Sequence, residues 1–429
     1  MRAPHVQQAL SWRTGLAYGA LAAPLAFVSL PLYVTLPHYY AAVAGAPLAG
    51  LGAVLLATRA FDALFDPALG RLADGLLQRG RRAAWLEAAL GSLVMAFGFV
   101  ALWHPPTGNS TQMLGWLAGC LLVSTLAYSA VGILHQTWGT RWGGEAAWRT
   151  QVTAWREGAT LVGVLSASVL PSLLGMDATS AVLVAALGLG LLGLYRLRDP
   201  RGGTGHAGAL AAQRHALPQP SPWRDAAFRR LLSVFMLNGV AAAIPATLLP
   251  FFVVDRLQAP GLLPLFLLCY FAAAALGLPL WVKAVARWGL APSWRAGMLA
   301  SVIAFFSASL LGAGDAWAFA TICLASGLAL GADLAVPGAL LTGVIHESGH
   351  GGSGDGRYLG WWTCATKLNL ALAAGLCLPL LAAVGYHSGS TDPAGLQALA
   401  WAYGGLPCLL KLMALACLWR AERLQPSWR

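Results

Sequence analysis

Charge is scarce in this chain. Only 10% of its 429 residues are Asp, Glu, Lys or Arg, against roughly a quarter in soluble globular domains. Hydrophobic residues make up 58%, and the mean hydropathy is +0.65. These values exclude an ordinary water-soluble domain. Acids are the scarcest: 16 Asp and Glu face 27 Lys and Arg, and none of the 16 falls between Met1 and Phe61. The seven cysteines form no CxxC pair and all fall in apolar runs, which excludes a disulfide or zinc framework. Alternating short-strand patterning is missing, which excludes an outer-membrane barrel. No nucleophile elbow, P-loop or HExxH motif occurs in its proper context, so the familiar enzyme classes find no support.

What remains is a series of long apolar runs. A helical membrane crossing needs about 20 such residues, and twelve candidate spans can be read, at roughly 15–36, 46–70, 83–103, 112–137, 152–172, 179–195, 230–253, 261–284, 293–312, 316–342, 358–386 and 396–419. Arg2 and Arg13 precede the first run, but that run is too long for a signal core and is read as a permanent span. Every second loop is basic: Arg71, Arg79, Arg81 and Arg82; then Arg141 and Arg149; then Lys283, Arg287 and Arg295. The opposite loops carry only Arg256. This asymmetry places both termini in the cytoplasm. It also explains the net charge of +11 without a nucleic-acid partner.

The polar, Gly/Pro/Arg-rich stretch 196–229 divides the chain into segments 1–195 and 230–429, with six spans on each side. Its composition reads as a flexible cytoplasmic tether. The halves echo each other: Asp74 precedes Gly80 by the interval that separates Lys283 from Gly289. Two related halves around a shared site are a frequent transporter design.

Charges inside the spans mark candidate sites, because burying them in lipid is costly. Arg59, Asp62 and Asp66 share one helical face by their spacing. Two adjacent carboxylates repel when both are ionised, and a bound cation or proton relieves that repulsion. Asp333 reads as a second proton carrier, a solute contact, a partner of Lys367 or the cap of a broken helix, while Lys411 reads as snorkelling to the interface. His135 and Gln136 are candidate solute contacts or satisfied buried groups. Trp361 and Trp362 are candidate cavity walls, whereas other tryptophans near span ends read as interfacial anchors. The stretch 346–357, HESGHGGSGDGR, reads as a mobile loop and not as a metal site.

GRLADGLLQRGRR (70–82) resembles the loop signature of the major facilitator superfamily. That resemblance implies that Asp74 caps a neighbouring helix and that Arg81 and Arg82 help latch the cytoplasmic face. A narrower likeness follows. Arg59, Asp62, Asp66, Pro67 and Gly70 in ATRAFDALFDPALGRLAD resemble the second helix of the glycoside–pentoside–hexuronide cation symporters, the melibiose permease-like family. Tyr18-Gly19, Trp148-Arg149-Thr150, Arg156-Glu157 and Gly356-Arg357-Tyr358-Leu359-Gly360 extend it. The resemblance implies that Asp62 and Asp66 bind the coupling cation, that Lys367 tunes them and that Arg156 contacts the sugar. Two family acids are missing here, near Ala26 in the first span and near Gly132 in the fourth. Sodium wants several oxygen ligands, so the loss near Gly132 favours a proton over sodium as coupling ion, while the loss near Ala26 removes an acid that the resemblance implies for the sugar.

The expectation is therefore an all-α integral membrane protein with twelve transmembrane helices in two six-helix bundles, the major facilitator fold. It would be a cation-coupled symporter of a sugar or related small solute, monomeric, in a bacterial inner membrane, with no cofactor beyond H+ or Na+. A lipid or lysolipid transporter of the same fold and a non-transporting membrane scaffold or sensor are the alternatives.

Overall fold

A computed structural model describes residues 10–36, 39–40, 44, 46–106, 109–197, 221–386 and 392–428. Most of the tether (198–220) and Arg2 lie outside the described residues. Every regular element among those described is helical: α1 (Trp12–Gly19), α2 (Ala22–Leu30), α3 (Leu48–Arg79), α4 (Arg81–Leu102), α5 (Ser110–Thr140), α6 (Ala146–Arg196), α7 (Ala226–Phe251), α8 (Leu263–Trp288), α9 (Leu290–Phe306), α10 (Ala316–Glu347), α11 (Asp355–Ala383), α12 (Pro393–Ala400) and α13 (Leu406–Leu424). Local chemistry sets several starts. The side chains of Ser11, Asn109, Asp225 and Asp392 each accept an amide hydrogen from the first turn that follows.

The elements map onto the twelve expected crossings. Helices α1 and α2 with a π-helical turn (Pro31–Thr35) form the first; α12, a π-helical turn (Trp401–Gly405) and α13 form the last. Helix α6 supplies two crossings, broken at Gly175, where φ is +74°. Eight helical stretches meet length and hydropathy requirements for a membrane span on their own. The first, second and fifth crossings and α11 fall outside that set; the first is built from short helices, and the other three carry charge within their apolar runs: Asp62 and Asp66, Arg156 and Glu157, Lys367. Large apolar side chains such as Leu64, Leu93, Phe97, Leu276 and Ile303 are more than half exposed, as suits a surface solvated by lipid and not by water.

The chain forms two compact units. One comprises Met1–Ser221 with Ile345–Cys364; the other comprises Pro222–Val344 with Ala365–Arg429. Division near the tether follows the hydropathy, but the inclusion of 345–364 in the first unit is a feature that hydropathy does not carry. In the first unit α2 lies against α6 at backbone distance: a Cβ on Gly163 would come within 2.0 Å of the Ala23 carbonyl oxygen. In the second, Phe252 stacks on Tyr403 with ring centroids 4.1 Å apart, and Phe319 packs edge-on to Phe266.

The echo between halves has a backbone counterpart. Gly80 (φ +113°) joins α3 to α4, and Gly289 (φ +85°) joins α8 to α9, each as a single-residue joint. Residues with a Cβ rarely adopt such angles, so glycine is needed at both.

Candidate functional site

On α3, Asp62 and Asp66 are buried to 2% and 0% exposure, one turn apart. The Ser129 hydroxyl of α5 donates to Asp62 Oδ1 at 2.8 Å. Pro67 follows Asp66 inside the helix, where it removes an amide donor and loosens that turn. Arg59 is exposed, unlike the two acids. It shares their angular face but sits about 10 Å along the axis from Asp66.

One turn beyond Asp66, α3 meets the start of α11 at backbone distance. A Cβ on Gly70 would lie 2.0 Å from the Gly356 carbonyl oxygen, and one on Gly360 would lie 2.5 Å from that of Asp66. This closeness puts the Asp74 carboxylate on the N-terminus of α11. The Gly356 amide donates to its Oδ1 at 2.8 Å and the Arg357 amide to its Oδ2 at 3.1 Å. An acid suits that position because the first amides of a helix lack partners and carry partial positive charge.

Arg141, from just beyond α5, lies between Asp74 and Asp355, with nitrogens 3.9 Å and 4.0 Å from their carboxylates. Gln78 donates to the Ser353 carbonyl at 3.0 Å, and His346 Nε2 lies 2.9 Å from the Thr140 carbonyl. Segment 345–364 is therefore tied to the first unit by α3 and α5 together. Asp74 lies past the apolar part of α3. Burial pushes its pKa up to about 7 against the pull of the two amides and Arg141, with Asp355 adding to the rise. Asp355 is likewise raised to about 6 by burial, with Arg141 and the Gly352 amide opposing.

Arg81 and Arg82, expected beside Asp74, are placed elsewhere. Arg81 opens α4 beyond the Gly80 joint and donates to the Tyr195 carbonyl at the end of α6, while Arg82 is exposed. The arginine that faces Asp74 is Arg141.

Arg156 forms an ion pair with its neighbour Glu157 on α6. His135 is buried, its Nε2 lying 2.8 Å from the Tyr18 carbonyl, while Tyr18 returns a hydrogen bond to the His135 carbonyl. Its ring ties α1 to α5. Gln136 is half-buried; Trp361 is half-buried and Trp362 buried, both in the part of α11 that belongs to the first unit. Lys367, half-buried, belongs to the second unit.

Asp333 on α10 pairs with Lys411 on α13, not with Lys367, at 2.5 Å. Its other oxygen accepts from Trp294 Nε1 at 2.8 Å and Asn238 Nδ2 at 3.0 Å, and Asn238 Oδ1 accepts from Lys411 at 2.9 Å. Lys411 is thus drawn inward by an acid and an amide and does not reach for an interface.

Residues 348–354 are folded: the His350 amide donates to the Ile345 carbonyl and the Gly354 amide to the His350 carbonyl. Among the described residues no cluster of three or more His, Cys, Asp or Glu side chains could hold a metal.

A relative from Bacillus subtilis (strain 168), described as the uncharacterized symporter YjmB, is 27% identical over 147 residues. That match spans 34% of this chain and about a third (32%) of the relative's length. Among solved structures, a bacterial homologue of the iron transporter ferroportin, in an outward-facing state, superposes with a TM-score of 0.69 at 14% identity, over 96% of this chain and 100% of that one. The fucose:proton symporter of E. coli gives 0.62 at 13%, over 94% and 97%. A proton:xylose symporter gives 0.63 at 14%, over 97% and 98%. At these identities the likeness establishes the shared fold alone. Residues 15–422 match the MFS/sugar transport protein family, and with nearly the whole chain covered, the protein belongs to that family.

Proposed function

We propose that this protein is a secondary active transporter that couples movement of a sugar or related small solute to a cation, as a single chain in a bacterial inner membrane with both termini cytoplasmic. The observation that carries the proposal is the pair of buried carboxylates on α3, with a hydroxyl from α5 on one of them. In this reading Asp62 and Asp66 take up the coupling ion, which relieves their mutual repulsion. The proton is the ion we favour, because the fourth crossing offers the pair a serine where a carboxylate would serve sodium. Arg156, half-buried beside Glu157, is the solute contact on α6. Asp74 on the α11 terminus, with Arg141 beside it, is the contact made and released during the cycle.

Support for a sugar comes from the family description and from the fucose and xylose symporters among the structural relatives. The test is uptake of labelled sugars into proteoliposomes under an imposed proton or sodium gradient. Asp62→Asn and Asp66→Asn should each cut gradient-driven accumulation at least tenfold while sparing solute exchange. Accumulation unchanged in both variants would refute the coupling role.

A further inference from the structure

The second unit contains a cavity of about 160 Å³ lined by α7, α8, α9, α10 and the final crossing. Most of its wall is apolar, including Leu249, Phe266, Phe271, Phe305 and Leu330. The polar lining is sparse. Lys411 and Asp333 stand together in the wall, and Tyr270 and Tyr403 contribute hydroxyl-bearing rings. Tyr403 sits on the π-helical turn Trp401–Gly405, a kind of irregularity that recurs at functional sites.

Three features define what would fit. The first is size: about 160 Å³ is close to the volume of an apolar cavity that accepts benzene, which suits a single six-membered ring. The second is charge. Asp333 and Lys411 neutralise each other, and the remaining lining residues are uncharged, so an ionised ligand would find no unused counter-charge. The third is hydrogen bonding. An ammonium carries three protons. Lys411 directs one to Asp333 and one to Asn238, leaving a third for an occupant, while Trp294 and Asn238 hold the carboxylate in place. A hexose carries hydroxyls around its whole ring, and those facing phenylalanine and leucine would be left without hydrogen-bond partners, which disfavours it.

We propose that this cavity binds a neutral single-ring molecule with one oxygen, of the phenol or cyclic-ketone class, its ring among Phe266, Phe305 and Tyr403 and its oxygen accepting from Lys411. The site lies wholly within the second unit and does not rest on the coupling role given to Asp62 and Asp66.

The test uses full-length protein purified in detergent, with 4-fluorophenol as probe and fluorine NMR as readout. A saturable bound signal, one per chain and displaced by cyclohexanone, is expected. Ala242→Phe should weaken binding at least tenfold by filling the cavity, and Ser301→Phe, from α9, makes the same test if the first variant does not fold. The double variant Asp333→Asn/Lys411→Met, which keeps the wall neutral but removes the ammonium, should weaken binding about tenfold, the worth of one charge-assisted hydrogen bond. Unsaturable partitioning, or equal binding in both cavity-filling variants, would overturn the site. Displacement by D-glucose at the concentration cyclohexanone requires would overturn the ligand class.

Discussion

Asp74 is a buried acid and Asp333 a partly buried one, both at helix contacts and held by opposite means. Asp74 leans on backbone: two amides at the start of α11, with an arginine almost 4 Å away. Asp333 leans on side chains from three other crossings, Lys411, Asn238 and Trp294, all within one unit. A contact with the end of a helix can be lost and regained without leaving a counter-charge stranded, because freed amides can bond to water. A lysine deep in a bundle has no such alternative. The first arrangement suits a contact that opens; the second suits one that stays.

Removing either partner at Asp333 should have the largest effect. Lys411→Met leaves a buried carboxylate without its cation and should cost about 3–5 kcal/mol, read as a lower melting temperature in detergent. The double variant Asp333→Asn/Lys411→Met should recover most of that loss. A double variant as unstable as the single would mean that the lysine acts through packing and not charge.

Next comes the approach of α3 to α11. A Cβ at Gly356 would meet the Gly70 carbonyl oxygen at 2.2 Å, so Gly356→Ala must push the helices apart, at about 1–3 kcal/mol. Its signature is loss of amide exchange protection at Gly356 and Arg357 while the Asp333 cluster keeps its own. Equal loss in both places would erase the contrast drawn between them.

The smallest effect is pH dependence at Asp74. Its pKa is raised by burial to about 7 from an ordinary 3.8, and that of Asp355 to about 6. Raised carboxylate values mean that folding favours the neutral forms. The contribution is fully present below about pH 4 and is lost as pH climbs through 6 to 7. Melting temperature should therefore fall modestly between pH 5.5 and 8, and Asp74→Asn should flatten that slope. A slope that steepens would mean that the amides and Arg141 outweigh burial.

Much of the architecture was legible because lipid imposes a coarse rule: apolar runs of fixed length become helices. The repeated Asp74–Gly80 and Lys283–Gly289 spacing was readable for the same local reason, since a one-residue joint with positive φ demands glycine. Partners distant in sequence were not readable. The resemblance tied Arg81 and Arg82 to Asp74 in one cytoplasmic latch, yet the single-residue joint at Gly80 sends them onto another helix. Arg141 arrives from 67 residues away. Lys411 and Asp333 lie 78 residues apart. Each is the sole charged residue of its apolar run, a signal that could have paired them. Ser129 carried no signal, since one serine in a span usually bonds its own backbone.

Gly175 has a practical consequence. It turns α6 back on itself with φ +74° and open space around the missing side chain, so room is plentiful but backbone freedom is not. The polypeptide reverses there without an intervening loop. Epitope tags or cleavage sequences inserted at this corner would unwind helix on both flanks, so topology mapping should use the long tether instead.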